Sequence, residues 1–289
     1  MQEKPTNKKL LSQRHPLLYF AAVWSKRSKR YLQWYSVKTK FSKTVSPEKL
    51  PFRIKKHQSV LIRKLGVSDA KLQVNKVTNL KIASKKINGI LIKPGETFSF
   101  CKLVGFPSRY KGYLVGMELS FGKVKAGIGG GLCQIANLLH WLIMHSQLTV
   151  TERHHHSFDP FPDEGRVLPF GSGATIFYNY MDYQVTNNTL HTFQINLWFS
   201  EKCLEGELRI DKELDFTYHV YEKNHDFLKI DEQFYRRNEI WRDKTDKFRS
   251  GKILQTDLIA KNFAKVMYVP ESFKESSIQE LSEFEKAKL

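Results

Sequence analysis

The residues best suited to chemistry lie in one short run, Gly127-Ile128-Gly129-Gly130-Gly131-Leu132-Cys133-Gln134. Each glycine loses extra conformational entropy on folding, so such a run belongs where the backbone approaches something closely or takes a positive φ. The residues that follow, IANLLHWLIM at 135–144, read as a helix. Cys133 is therefore expected in the first turn of a helix that opens on a glycine loop. The first N–H groups of a helix lack intrahelical partners, and the macrodipole adds partial positive charge there. Such a site favours a thiolate over a thiol. Its N–H groups, with the Gln134 amide, are placed to hold an oxyanion formed on an acyl substrate. The blander alternative is a small buried hydrophobe in a helix. A phosphate loop is the other rival, but the run lacks the Lys-Ser/Thr pair of a P-loop and the GxGxxG spacing.

A second cluster, Glu152-Arg153-His154-His155-His156-Ser157-Phe158-Asp159, follows about twenty residues later, directly after a predicted strand. A histidine returning to the helix mouth would take the thiol proton and later give it to a leaving amine. Asp159, Asp163 or Glu152 would orient it. A metal site with Cys133 is the competing use. Side chains alternate faces on a strand, so only His154 and His156 would share one; no metal and no cofactor are expected. Gly129, Gly130 and Gly131, with Arg153 and His154, are the expected substrate-contacting residues. His140 and His145, on the apolar helix, are expected in the core or at its rim. Cys101 and Cys203 lie in strand-like runs and read as packing residues. Asp182, Asn187 and Asn188 read as caps or turns.

The elements that must position these residues follow from periodicity. A short helix is expected around 16–35. Residues 54–65, IKKHQSVLIRKL, read as an amphipathic helix, and 74–87 as another that Asn88-Gly89 ends. Residues 90–100 read as strand, Pro94-Gly95 turn, strand. Residues 113–122 read as a short hairpin. Beyond the Leu132–His145 helix, strands are expected at 148–153, 174–180 and 192–199, with Asn187-Asn188 as a turn. Alternating runs continue through 204–221, 235–242 and 253–269, and the last fifteen residues read as a terminal helix or disorder. The fold class is α+β: a mainly antiparallel sheet packed on a central helix that begins at the glycine-rich loop, with a basic helical lead-in. The expected organisation is a basic segment at 1–45, the main domain at 46–215, and a β-rich extension with its tail at 216–289.

Composition narrows the partners. The formal charge is +18, and residues 1–100 hold 23 Lys or Arg against four Asp or Glu, so the remainder is close to neutral. A basic segment over residues 1–86 suits an anionic membrane surface, nucleic acid or another polyanion; the bland reading is a solvated arm. Three cysteines without short spacing argue against a disulfide framework and fit a reducing compartment. The apolar run PLLYFAAVW at 16–24 is far shorter than the ~20 residues of a transmembrane helix. The residues after it, SKRSKR, offer no small-residue cleavage site. It reads as a buried or interfacial helix, giving an expected cytoplasmic location with attachment to the inner membrane face.

The chain resembles the VanW family, named from glycopeptide-resistance gene clusters. The resemblance rests on NGILIKPGETFSF at 88–100, the Gly-Tyr pair at 112–113, GIGGGLCQ at 127–134, TERHHHS at 151–157, FGSGATIFYNYMD at 170–182 and NNT at 187–189. These cover about residues 74–200, and the flanks resemble the short, stand-alone members. The resemblance implies a link to peptidoglycan cross-linking of the L,D-transpeptidase type, with Cys133 as nucleophile and His156, just before Ser157, as base. Long members often carry Gly-x-Asp-Ala-Thr where this chain has Gly171-Ser172-Gly173-Ala174-Thr175. The acid is absent, so a third member would be Asp159 or Asp182.

Three functions follow as expectations. The first is a cysteine-dependent acyl transferase or amidase acting on peptidoglycan peptide or its precursor. The second is a non-catalytic accessory or binding protein of the envelope or resistance machinery. The third is a basic nucleic-acid-binding protein.

Overall fold

A computed structural model describes residues 15–36, 38–62, 70–120, 123–155, 158–159, 162, 167–249 and 251–289. His156 and Asp163, and the ends of the 54–65 and 113–122 segments, fall outside them. The chain runs α1 (Pro16–Tyr35), β1 (Lys40–Phe41), β2 (Phe52–Val60), α2 (Ala70–Ile87), β3 (Ile90–Ile92), β4 (Glu96–Ser99), α3 (Phe100–Val104), β5 (Val115–Ser120) and β6 (Lys123–Ile128). It continues with α4 (Cys133–Met144), β7 (Thr149–Glu152), β8 (Phe158–Asp159), β9 (Gln184–Thr186), β10 (Phe193–Phe199) and β11 (Cys203–Ile210). Last come β12 (Phe216–Ile230), β13 (Gln233–Asp246), β14 (Ile253–Val266), β15 (Lys274–Glu275) and α5 (Glu283–Lys286).

The fold is α+β and mostly antiparallel. One sheet has the order β2-β11-β10-β3, and a second β1-β4-β9-β7. A third, β15-β12-β13-β14-β8, holds the long C-terminal strands, and β5-β6 form a hairpin. Helices α2 and α4 lie on the first sheet. Leu80, Ala83 and Ile87 of α2 meet Leu138, Leu139 and Leu142 of α4 in one core with Ile195 of β10 and Leu208 of β11. Gly206 of β11 sets the approach, because an added Cβ would lie 2.9 Å from Leu197 and 3.1 Å from Leu138. The other end of α4 enters a second core, where Trp141 and Met144 pack with Val220 and Ile240 of the C-terminal sheet.

Turn chemistry was readable locally. Gly89 closes α2 at φ 81°, and Gly95 takes φ 74° between β3 and β4, where glycine has no Cβ penalty. Two expected elements differ. Residues 52–60 form a strand rather than the helix expected at 54–65. Pairing with β11, from Val60–Cys203 to Phe52–Ile210, overrides a helical period of apolar groups. As an edge strand β2 keeps Arg53, Lys55 and Lys56 along its length, which guards the edge against further pairing. Residues 174–180 form a looped cover rather than a strand. Among the described residues its strand-type pairing is limited to single bridges, His154–Thr175 and Phe177–Met181, and Asn179 turns at φ 59°. Cys101 sits in α3, not in a strand.

Candidate functional site around Cys133

The glycine run is fixed from below by α2. The buried Asn79 side chain donates to the carbonyls of Leu114 and Gly130, each at 3.0 Å, and accepts from the Leu114 N–H at 2.8 Å. Gly129 and Gly131 take φ 81° and 96°. Gly130 is required by proximity: a Cβ there would lie 2.4 Å from the Gly116 carbonyl oxygen. The loop thus lies flat against β5 and delivers the chain into α4 at Cys133. No side chain caps this helix start, and the N–H groups of Gln134 and Ile135 turn back to Gly131 and Leu132 at 3.0 Å.

Cys133 is half-buried, and its Sγ donates to the Ile176 carbonyl at 3.7 Å. The thiol is pushed up from its ordinary pKa, chiefly by burial. The charge of Glu118 on β5 works in the same direction, and the Cys133 backbone N–H opposes it. The depression expected of a helix start is therefore reversed: desolvation disfavours the thiolate more than the helix terminus favours it. Glu118 is itself raised by burial. Its carboxylate occupies the space over Gly127, where a Cβ would lie 2.5 Å from it. Sequence reasoning missed Glu118, since nothing in the spacing of a lone acid in a hairpin marks it; the absence of a side chain at Gly127 was the only sign.

The cover over the thiol is held to α4 and to the residues that follow β7. Asn137 Oδ1 accepts from the Ala174 N–H at 2.7 Å. Arg153 donates through Nε to the Gly173 carbonyl at 2.9 Å and through Nη2 to the Gly171 carbonyl. Its guanidinium therefore organises the Gly171–Thr175 turn. His154 Nε2 stands 3.0 Å from Glu152 Oε1, and its carbonyl accepts from the Thr175 N–H at 2.7 Å. Glu152 also accepts both Arg30 nitrogens at 2.5 Å and the Asp182 N–H at 2.9 Å. Burial would raise this carboxyl, but the bonds from His154, Arg30 and Asp182 outweigh it and hold the pKa down to about 2.

The remaining sequence candidates are placed elsewhere. The Gln134 amide donates to Ser59 Oγ at 2.9 Å and to the Val60 carbonyl at 2.8 Å, tying α4 to β2 rather than facing the thiol as an oxyanion donor. Asp159 accepts from Arg236 Nη1 at 3.0 Å and from the Tyr268 hydroxyl at 3.3 Å, both in the C-terminal region. Asp182 is buried, accepting from Ser99 Oγ at 2.5 Å, the N–H groups of Cys101 and Tyr183 at 2.8 Å, and Gln184 at 3.1 Å. Burial raises its pKa. His140 and His145 are buried, and burial lowers both, His145 to about 4. Among the described residues no three His, Cys, Asp or Glu side chains gather closely enough to hold a metal.

The segments meeting at Cys133 fall within a stretch that resembles known proteins. A family model described as "VanW like protein" matches residues 75–209. Over 271 residues the chain is 31% identical to the vancomycin B-type resistance protein VanW of Enterococcus faecalis, covering 92% of this chain and 97% of that protein. The chain belongs to the VanW family. A second relative, the uncharacterised protein YoaR of Bacillus subtilis, is 30% identical over 110 residues. That match takes in 38% of this chain and 34% of YoaR. No solved structure matches the chain. The family match begins within α2 and runs through the glycine run, Cys133, Arg153 and the 170–182 cover; α1 and strands β12 to β15 lie outside it.

Proposed function

We propose that this VanW-family chain acts in glycopeptide resistance, at the bacterial envelope; the name of its enterococcal relative gives vancomycin resistance for that protein. We further propose that Cys133 is the acyl acceptor in a transfer reaction on peptidoglycan peptide. The Cys133 sulfur would bond to the acyl carbon of a peptide amide, the C–N bond would break, and the thiol proton would leave on the departing amine. An amine of a second peptide would then attack the thioester and restore the thiol. His156 is the proposed base, and Gly129–Gly131 with the Gly171–Thr175 turn form the proposed peptide cleft.

One observation carries this reading. The glycine loop, the β5–β6 hairpin and the 171–181 cover all converge on one half-buried thiol, and Asn79, Asn137 and Arg153 hold them there. A packing cysteine needs no such frame. A resting thiol with a raised pKa requires its proton to be removed during the reaction, which is the task of a base beside it.

A non-catalytic accessory role is the second reading. It draws support from the Gln134 amide, which is bonded to β2, and from a thiol whose surroundings favour the neutral form. Intact mass measurement after incubation with purified muropeptides separates the two. The expected result is an acyl adduct on native protein that is absent from Cys133→Ala. Its formation should quicken as pH rises through the raised thiol pKa. Glu118→Gln, by removing a neighbouring negative charge, should speed alkylation of Cys133 at neutral pH by about threefold to tenfold. No adduct at any pH, together with undiminished resistance in cells carrying Cys133→Ala, would establish the accessory role.

A further inference from the structure

Helix α1 carries a stripe of large apolar side chains that the rest of the molecule leaves uncovered. Leu17, Phe20, Trp24, Tyr31 and Tyr35 recur at helical spacing on one side, with exposures of 71, 62, 47, 39 and 81%. A neighbouring face is docked. Val23 and Trp34 are buried, Arg30 grips Glu152, and Lys102 Nζ donates to the Trp34 carbonyl at 3.0 Å. The helix is therefore held side-on to the body with its aromatic stripe outward.

The stripe continues onto the body. Arg27 lies over the rings of both Trp24 and Phe177, at 5.8 and 5.9 Å. The Tyr31 and Tyr178 hydroxyls are 3.5 Å apart, and Phe106 packs edge-on against Tyr178 at 5.3 Å. Tryptophan and tyrosine, with apolar rings and polar tips, suit the boundary between lipid and water. The accompanying charge is uniformly basic. Lys26, Arg27, Lys29 and Arg30 interrupt the helix without one acidic residue, and four Asp or Glu stand against 23 Lys or Arg in residues 1–100.

We propose that α1 is an interfacial helix that lies flat on an anionic lipid bilayer, with Leu17, Phe20, Trp24, Tyr31 and Tyr35 entering the headgroup boundary. Its twenty residues would lie along about 30 Å of membrane surface. No helix among the described residues is long and apolar enough to cross a membrane, and the basic flanks match lipid phosphates. The charge argues against a second copy of the chain as occupant, since two such basic surfaces repel. The apolar stripe argues against nucleic acid, which presents phosphates rather than hydrocarbon. Docking this way brings Phe177, next to the Ile176 carbonyl that receives the Cys133 thiol, to the lipid surface.

Cosedimentation of the full chain with vesicles tests this. Vesicles of phosphatidylcholine alone are compared with vesicles containing phosphatidylglycerol, at low and high salt. The expected result is binding to the anionic vesicles, weakened by salt, with a blue shift in emission that Trp24→Phe removes. The triple variant Leu17→Glu/Phe20→Glu/Trp24→Glu alters exposed positions only. It should keep its circular dichroism and melting profile but bind at least about tenfold more weakly. The proposal fails if the triple variant binds as the native chain does, which would leave the basic charge alone responsible. It also fails if zwitterionic vesicles bind equally, if sedimentation velocity shows the stripe sealing a dimer, or if duplex DNA competes fully with the vesicles. None of these outcomes depends on the chemistry of Cys133.

Discussion

Two glycines separate two reasons for having no side chain. Gly130 meets backbone, the Gly116 carbonyl, wherever a Cβ would go. Gly95 has φ 74° but open space around it. Gly130→Ala must push apart the loop and β5, which cannot yield as a side chain does, and should cost about 3 kcal/mol or more in urea unfolding. Gly95→Ala meets only backbone strain and should cost about 1 kcal/mol. Equal costs for the two would refute the close-approach account of the glycine run. At this scale the sequence carried the place of Cys133 at a helix start and the close approach of its glycines, because three adjacent glycines before a helical run mark backbone that lacks room for side chains. It could not carry Gln134, whose partner Ser59 lies 75 residues away on a strand read as a helix. Nor could it carry the direction of the thiol shift, which burial decides and spacing does not report.

Among the elements, those defined by local chemistry were legible: α1 behind its proline, α2 to its glycine stop, and the Pro94-Gly95 turn. Those defined by partners were not. Strand β2 exists because β11 offers it a long antiparallel edge, and the 174–180 segment is looped because α4 and Arg153 hold it. The attachment of α1 is also a matter of partners, and it gives a pH-dependent prediction. The folded Glu152 carboxyl titrates near 2, below its usual value of 4.5. Its contribution is therefore complete above about pH 4.5 and is lost as pH falls toward 2. After allowing for solvent screening, the tie contributes on the order of 1–2 kcal/mol. Glu152→Gln should release α1 to limited proteolysis at neutral pH and flatten the acid dependence of stability between pH 5 and 2, measured by chemical unfolding at each pH. An α1 that stays protected in this variant would show that Trp34 and Tyr178 suffice to hold it.

Across the whole molecule α4 joins two cores. Its first residue is Cys133, and its last turns, Trp141 and Met144, pack beneath the C-terminal sheet. The same sheet is tied back to the main body by β8, which runs parallel to β14 through Phe158–Lys265 and Asp159–Val266. Asp159 anchors that join, because it faces Arg236 where both side chains are 3% exposed, and the Tyr268 hydroxyl adds a bond. A buried pair contributes little net stability, but removing one member leaves the other charge in a poor solvent. Asp159→Ala should therefore destabilise the fold by about 3 kcal/mol in urea. A structural anchor and a residue that orients the catalytic base differ in what else this change does. For an anchor, the variant that remains folded should show the native pH profile for Cys133 alkylation, because β8 lies in the C-terminal sheet and the thiol faces Ile176. A shifted profile with unchanged stability would instead put Asp159 in the proton path of the thiol and reassign the 152–159 segment from joining the two halves to chemistry.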